Sequence, residues 1–332
     1  MRDVLDDVKG WLANGDQVAL ATVVSTWGSA PRPAGSRMAI SRSGRIAGSV
    51  SGGCLEGEVF EQAQAVLQGS PPRLLHYGVS DDLAFSVGLS CGGEVDILVE
   101  RLAAPHQDLM RALAAERPVV LATALKDSPG AKKLVDAGEP DDVVADAGAL
   151  LLREVPERRD GWFLEPFPRP PELLIVGGSH VAIPLSRLAH ALGFRVTIID
   201  ARSKFADRTR FPDADRVITA WPDEALAAIT LDASSYVVVL THDPKFDDPT
   251  IMAALQRSPR YIGAIGSRRT HRARVERLLA AGVEPSALER IHAPIGLDLG
   301  GQTAEETALA ILAQMVAVRH GRSGGAMPPA AG

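Results

Sequence analysis

Leu173-Leu174-Ile175-Val176-Gly177-Gly178-Ser179-His180-Val181-Ala182 decides the fold of the second half of this 332-residue chain. Leu173 to Val176 reads as a strand buried on both faces, Gly177-Gly178 as a tight turn, and the residues beyond as the start of a helix. In that order, free backbone N–H groups and the positive helix end converge on any anion held at the turn. Asp200 ends the next strand about twenty residues on, where an acidic side chain accepts from ribose hydroxyls. The glycine fingerprint is degenerate, with Ser179 and Ala182 in place of its second and third glycines. Taken alone, Gly177 to His180 suits a nicotinamide dinucleotide, NAD(P), or another phosphate-bearing ligand, and it equally suits a tight turn with Asp200 as a loop cap.

Working outward, Leu173 to Val176, Val196 to Ile199, Tyr236 to Leu240 and Tyr261 to Ile265 alternate with helical patterns. That alternation predicts an α/β, Rossmann-like doubly wound domain with a mostly parallel sheet. Ligands of such sheets bind beyond the carboxyl ends of the strands. Thr241-His242-Asp243 follows the third of these runs and Gly266-Ser267-Arg268 the fourth. Arg268 and Arg269 open a helix, where cations oppose the macrodipole by roughly 0.3 to 1 kcal/mol each. A nearby anion, through contacts of roughly 1.5 to 3 kcal/mol, offsets that penalty, although a solvated basic helix face explains the pattern too. Thr303-Ala304-Glu305-Glu306 is a capping box opening the last helix, and the preceding Pro294 to Asp298 loop is a candidate lining of the cleft.

The first half reads as α+β. A helix spans Val4 to Leu12, a strand Val18 to Thr26, and a hairpin turns at Ser43-Gly44. A helix spans Leu55 to Leu67, and short strands are expected at Leu74 to Val79, Val95 to Glu100, Val119 to Leu125 and Ala149 to Arg153, with a helix at Asp108 to Ala115. Pro166-Phe167-Pro168-Arg169-Pro170-Pro171 predicts a stiff extended linker. The expected organisation is therefore a domain over 1–165, a linker over 166–171, the Rossmann-like domain over 172–320 and a disordered tail over 321–332.

Ser51-Gly52-Gly53-Cys54-Leu55-Glu56 and Ser90-Cys91-Gly92-Gly93-Glu94 each set a thiol beside two glycines and a serine. Glycines expose a thiol and let backbone approach a ligand, and Cys54 stands just before a helix, whose positive end favours thiolate. Such thiols suit a soft metal or sulfur transfer; two small core cysteines are the plain alternative. Two cysteines are too few for a disulfide scaffold.

The 35 Lys+Arg against 41 Asp+Glu, a formal net charge of −6, lack the basic excess that nucleic-acid binding requires. The acidic, amphipathic stretch Met1 to Val8 does not read as a basic n-region followed by an apolar h-region, and no apolar run approaches the ~18 to 20 residues of a membrane span. A soluble, cytoplasmic protein is expected.

Several long motifs occur in order: Ala21-Thr22-Val23 through Trp27-Gly28-Ser29-Ala30-Pro31-Arg32-Pro33-Ala34-Gly35, Gly48 through Glu56, Gly88 through Gly93, Thr241-His242-Asp243, Tyr261 through Arg268, and Pro294 through Gly300. On these the chain resembles the XdhC/CoxI family of accessory proteins for xanthine dehydrogenase and carbon monoxide dehydrogenase type enzymes. The resemblance implies a two-domain homodimer that binds the molybdopterin-type molybdenum cofactor, in its mononucleotide or dinucleotide form, and shields it. It also implies help in exchanging an oxo for a sulfido ligand and delivery to the apo-molybdoenzyme, with a cysteine desulfurase or sulfurtransferase as second partner. A chaperone is implied rather than a catalyst. Under it, the cofactor phosphate sits on Gly177 to His180 with help from Ser267 and Arg268, and Cys54 and Cys91 face the metal. An NAD(P)-dependent oxidoreductase and a docking scaffold that never retains cofactor are the competing readings.

Overall fold

A computed structural model of the chain describes residues 1–28, 32–78, 93–126, 128–139 and 141–327, which divide into two compact units, Met1–Arg169 and Pro170–Gly332.

The first unit opens with a helix, α1 (Leu5–Ala13), and the strands β1 (Val18–Trp27), β2 (Arg37–Ser41) and β3 (Ile46–Gly48). Helix α2 (Glu56–Leu67) and the strands β4 (Arg73–Tyr77) and β5 (Glu94–Arg101) follow. These strands form an antiparallel sheet ordered β3-β2-β1-β5-β4. Helix α2 closes one face, with Leu55, Val59 and Ala63 packed among Met38, Ile40 and Ile97. Helix α3 (Ala104–Ala114), strands β6 (Val119–Ala124) and β7 (Lys132–Asp136), helix α4 (Ala147–Arg153) and strands β8 (Glu157–Arg159) and β9 (Trp162–Phe167) build a second antiparallel sheet, ordered β7-β6-β9-β8.

Two expectations fail in this unit. Ala149 to Arg153 is helix, because Ala147-Gly148-Ala149-Leu150-Leu151-Leu152-Arg153 is rich in strong helix formers and a short apolar run does not distinguish helix from strand. The expected linker is also partly sheet, since Pro166 and Phe167 belong to β9, opposite Val120 and Val119. β8 pairs with β9 only as far as Leu164, so past that point β9 has an open edge where a proline's missing N–H is harmless.

Charged groups are buried in this unit. Arg37 on β2 meets Glu165 on β9 at 2.5 Å, and Glu100 on β5 meets Lys132 at 2.7 Å and His106 at 3.4 Å. Burial pushes the Glu100 carboxyl up, but His106 and Lys132 outweigh it and hold the carboxyl below its usual range.

The second unit contains β10 (Glu172–Val176), α5 (Ala182–Ala191), β11 (Arg195–Ile199), β12 (Arg216–Ile218), α6 (Pro222–Ala227), β13 (Ser235–Val239) and α7 (Pro244–Leu255). It continues with β14 (Tyr261–Ala264), α8 (Arg268–Ala280), α9 (Pro285–Leu288), β15 (Ile291–His292) and α10 (Ala304–Arg319). Its strands are parallel in the order β12-β11-β10-β13-β14-β15, the Rossmann arrangement. Alternation along the strands separates two cores. Leu173, Ile175, Val196 and Ile198 pack beneath α5 and α10, while Leu174, Val176, Val237 and Val239 face α6, α7 and α8. The order reverses between β10 and β13, the position beyond whose carboxyl ends ligands of such sheets ordinarily bind. The expected tail starts as a turn bonded back to α10, with Arg322 N donating to Ala317 O at 2.8 Å.

Candidate functional site

The site residues expected in the second unit fall along the carboxyl edge of its sheet. Gly177 to His180 follow β10, Asp200 follows β11, Thr241 to Asp243 lie just past β13, and Gly266 to Arg268 lie just past β14. Gly177 has φ +101°, and a Cβ there would lie 2.5 Å from Thr241 Cγ2, so only glycine lets β10 turn this close to the end of β13. A Cβ on Gly178 would meet the Phe205 carbonyl oxygen at 2.2 Å. This second glycine makes room for the loop after β11.

Asp200 is fully buried, and its carboxylate accepts four hydrogen bonds. Oδ2 takes Gly178 N at 2.9 Å and Arg202 Nη2 at 2.8 Å, while Oδ1 takes Arg202 N and Arg202 Nε, each at 2.9 Å. A carboxylate has about four lone-pair directions, and all are used. Burial pushes this carboxyl up, but the Arg202 side chain and the two amides prevail and hold it below its usual range. Arg202 in turn lies over the Phe205 ring at 3.9 Å. Asp200 thus latches the turn to the next loop.

The N-terminal end of α5 is uncapped. No side chain caps this helix, and the Ser179 hydroxyl is buried without a hydrogen-bond partner among the described residues. His180 is exposed beside it. An uncapped helix start with an idle hydroxyl is a cradle that a phosphate fits.

Past β13, Thr241 donates through Oγ1 to Asp247, and Asp247 Oδ2 accepts from Arg274 Nη2 at 2.9 Å, which also donates to Ile265 O at 3.0 Å. Arg274 and Asp247 are buried. Burial pushes the Asp247 carboxyl up, opposed by Thr241 and Arg274. Asp243 caps α7 by accepting from Lys245 N at 3.0 Å, and His242 is exposed. Ser267 caps α8 by accepting from Thr270 N at 3.1 Å, which leaves Arg268 and Arg269 exposed at the helix start. A continuous set of contacts therefore ties Asp200 to the glycine turn, Thr241, Asp247, Arg274 and the end of β14. Sequence reasoning missed Arg202, which bonds Asp200 two residues before it, and the pairing of Asp247 with Arg274, which joins two helices distant in sequence.

In the first unit, Cys54 is half-buried against the α2 core. The loop before it wraps around one carboxylate. Glu56 Oε1 accepts from Ser49 Oγ at 2.7 Å, Ser51 N at 2.9 Å and Val50 N at 3.2 Å, and Oε2 accepts from Ser51 Oγ at 2.5 Å and Gly53 N at 2.8 Å. Burial opposes ionisation, but the serine hydroxyls and amides dominate and hold the pKa down to about 2. Cys91 and most of its motif lie outside the described residues. Among the described residues, no group of three His, Cys, Asp or Glu side chains could hold a metal ion. Nor is any helix among them long and apolar enough to cross a membrane.

Residues 173–315 match the model of the XdhC Rossmann domain, and residues 11–78 match that of the XdhC and CoxI family. The molybdenum cofactor insertion chaperone PaoD of Escherichia coli (strain K12) is 30% identical over 96% of this chain and 89% of its own length. The chain belongs to the XdhC and CoxI family. A second relative, a probable xanthine dehydrogenase subunit of Bacillus subtilis (strain 168), is 29% identical over 93% of this chain and 95% of its own length. A solved Bacillus halodurans structure described as a xanthine dehydrogenase superposes with a TM-score of 0.74 at 26% identity, covering 98% of both chains. In XdhC terms, the unit matched by the Rossmann model holds the cradle at α5, and the unit matched by the XdhC and CoxI model holds the Cys54 loop.

Proposed function

We propose that this protein is a molybdenum cofactor chaperone that binds the pterin-based cofactor, protects it and passes it to an apo-molybdoenzyme of the xanthine or carbon monoxide dehydrogenase class. The cofactor is cargo. Its phosphate sits at the start of α5, on Ser179 and the first-turn N–H groups, with Arg268 supplying positive charge from α8. Cys54 is the proposed thiol of the sulfuration step, offered to a sulfur donor, and Cys91 is its proposed counterpart. A cysteine desulfurase or sulfurtransferase is the proposed second partner.

One observation carries this reading over a nicotinamide enzyme. The NAD(P) alternative needs a free acceptor at the end of the second strand for ribose. Asp200 has none to spare, because Gly178 and Arg202 take all four of its lone-pair directions. An anion cradle without a ribose acceptor suits a terminal phosphate.

The test is the cofactor content of the full chain purified from cells that make the cofactor, with Ser179→Ala, Arg268→Ala and Cys54→Ala beside it. Pterin and molybdenum per chain should fall in the Ser179 and Arg268 variants, and molybdenum sulfuration should fall in the Cys54 variant. Full occupancy and sulfuration in all three would sink the assignment of these residues.

A further inference from the structure

Arg202 is held by a carboxylate and by two rings. Its Nε and Nη2 reach the two oxygens of Asp200 at 2.9 and 2.8 Å, a fork that fits both oxygens at once. Its guanidinium carbon lies 3.9 Å from the centroid of the Phe205 ring and 5.4 Å from that of Phe246, both within cation–π reach. Phe205 belongs to the loop after β11, and Phe246 to the first turn of α7, which follows β13. Both rings are themselves held. Trp221, just before α6, stacks on Phe246 with centroids 4.9 Å and planes 26° apart. Arg210 lies over the Phe205 ring at 5.5 Å and donates through Nη1 to the Phe205 carbonyl oxygen at 3.1 Å.

A nucleotide on a sheet of this kind makes three contacts. Its phosphates lie at the start of the helix after the first strand, its ribose hydroxyls donate to the acid ending the second, and its base stacks on a flat apolar or aromatic surface beyond. The first position is free in this chain, because α5 is uncapped and the Ser179 hydroxyl has no partner among the described residues. One side chain takes the other two together. Arg202 gives Asp200 the pair of donors that a ribose diol would give, and it lays a planar group over rings as a base would. Without that side chain, Gly178 N would still bond Oδ2 and the backbone amide of residue 202 would still bond Oδ1. One lone-pair direction on each oxygen would then be vacant, which is what two adjacent hydroxyls need.

We infer that Arg202 is the specificity-determining residue of the α5 cradle: it fills the nucleoside position of this unit from within the chain, and so keeps adenine nucleotides out while leaving the phosphate position open. The inference rests on the reading of α5 as a phosphate cradle, and it holds whichever phosphate ester the cradle carries.

Calorimetric titration of the cofactor-free full chain with ADP, 2′-deoxy-ADP and inorganic pyrophosphate tests it. The parent should bind ADP no tighter than pyrophosphate. Arg202→Ala should bind ADP at least about tenfold tighter than the parent does, with pyrophosphate unchanged, since ribose then supplies bonds to a charged acceptor. 2′-deoxy-ADP, one hydroxyl short, should show little of that gain. Arg202→Gln, which keeps one amide donor for Asp200, should gain less than Arg202→Ala and decides the matter if the alanine variant does not fold; hydrogen exchange of β10 and β11 reports folding. Phe205→Ala leaves the fork on Asp200 in place and should gain nothing. Parent and folded Arg202 variants that bind ADP alike, an equal gain for 2′-deoxy-ADP, or the same gain from Phe205→Ala alone would overturn the role of Arg202 while pyrophosphate binding stands. Pyrophosphate bound by neither parent nor variants would remove the cradle and the inference together.

Discussion

Replacing Asp200 by Asn keeps the shape of the latch and removes its charge. In the protein, Oδ2 receives Gly178 N and Arg202 Nη2, so an amide NH2 at that position confronts two donors with a third. One lost charge-assisted bond is worth about 1.5–3 kcal/mol and one orphaned buried N–H about 1–3 kcal/mol. Arg202 is 47% exposed and recovers part of its loss from water, so the sum comes to about 2–4 kcal/mol. Equilibrium unfolding in guanidinium, followed in the second unit by hydrogen exchange of β10 and β11, measures it. The pH dependence has a definite sign. The folded carboxyl is held below its ordinary value, so its stabilisation is complete above the unfolded value near about 4 and is lost as pH falls through the folded value. The gap between parent and variant should therefore be full at pH 7 and close in acid. An Asn variant within about 0.5 kcal/mol of the parent that nevertheless loses ligand would refute the reasoning, since Asp200 would then face the ligand rather than the turn.

Gly178→Ala should lower the melting temperature of the second unit, by about 5 °C or more, because its Cβ must displace the Phe205 carbonyl; calorimetry decides this. Glu56→Gln should loosen the Ser49 to Gly53 loop and speed alkylation of Cys54. In the parent the same loosening should appear only as pH falls toward the Glu56 pKa of about 2, since a depressed carboxyl stabilises above its unfolded value. Arg37→Met should destabilise the first unit by about 3–5 kcal/mol by stranding Glu165, and the double change with Glu165→Leu should recover most of it in urea titrations.

The Rossmann half was legible because its signals are local. Four apolar strand runs, a glycine turn and a capping box at Thr303 each sit within a few residues of one another, and all of them appear in the structure. β12 and β15 escaped notice because strands of three and two residues at a sheet edge carry too little pattern to read. Leu150, Leu151 and Leu152 were misleading for a related reason, since three leucines in a row have no period. Pro166 is tolerated in β9 only because β8 ends at Leu164, a fact about a neighbour rather than about the proline. The same limit applied at the site. Gly177, Gly178 and Asp200 were recognisable as a turn and an acid, but the use of Asp200 depends on Arg202 and on where the Gly178 amide points. Glu56 was visible as part of a motif, yet its five donors come from a loop whose path the motif does not specify.

The central claim is that the cradle at α5 takes the phosphate of a pterin cofactor and not a nicotinamide dinucleotide. Titrating the cofactor-free full chain with isolated molybdenum cofactor under anaerobic conditions, and in parallel with NADH, tests it directly. Saturable binding of the cofactor that Ser179→Ala weakens, with no change in NADH fluorescence, is the predicted result. Tight NADH binding that molybdenum cofactor fails to displace would contradict it.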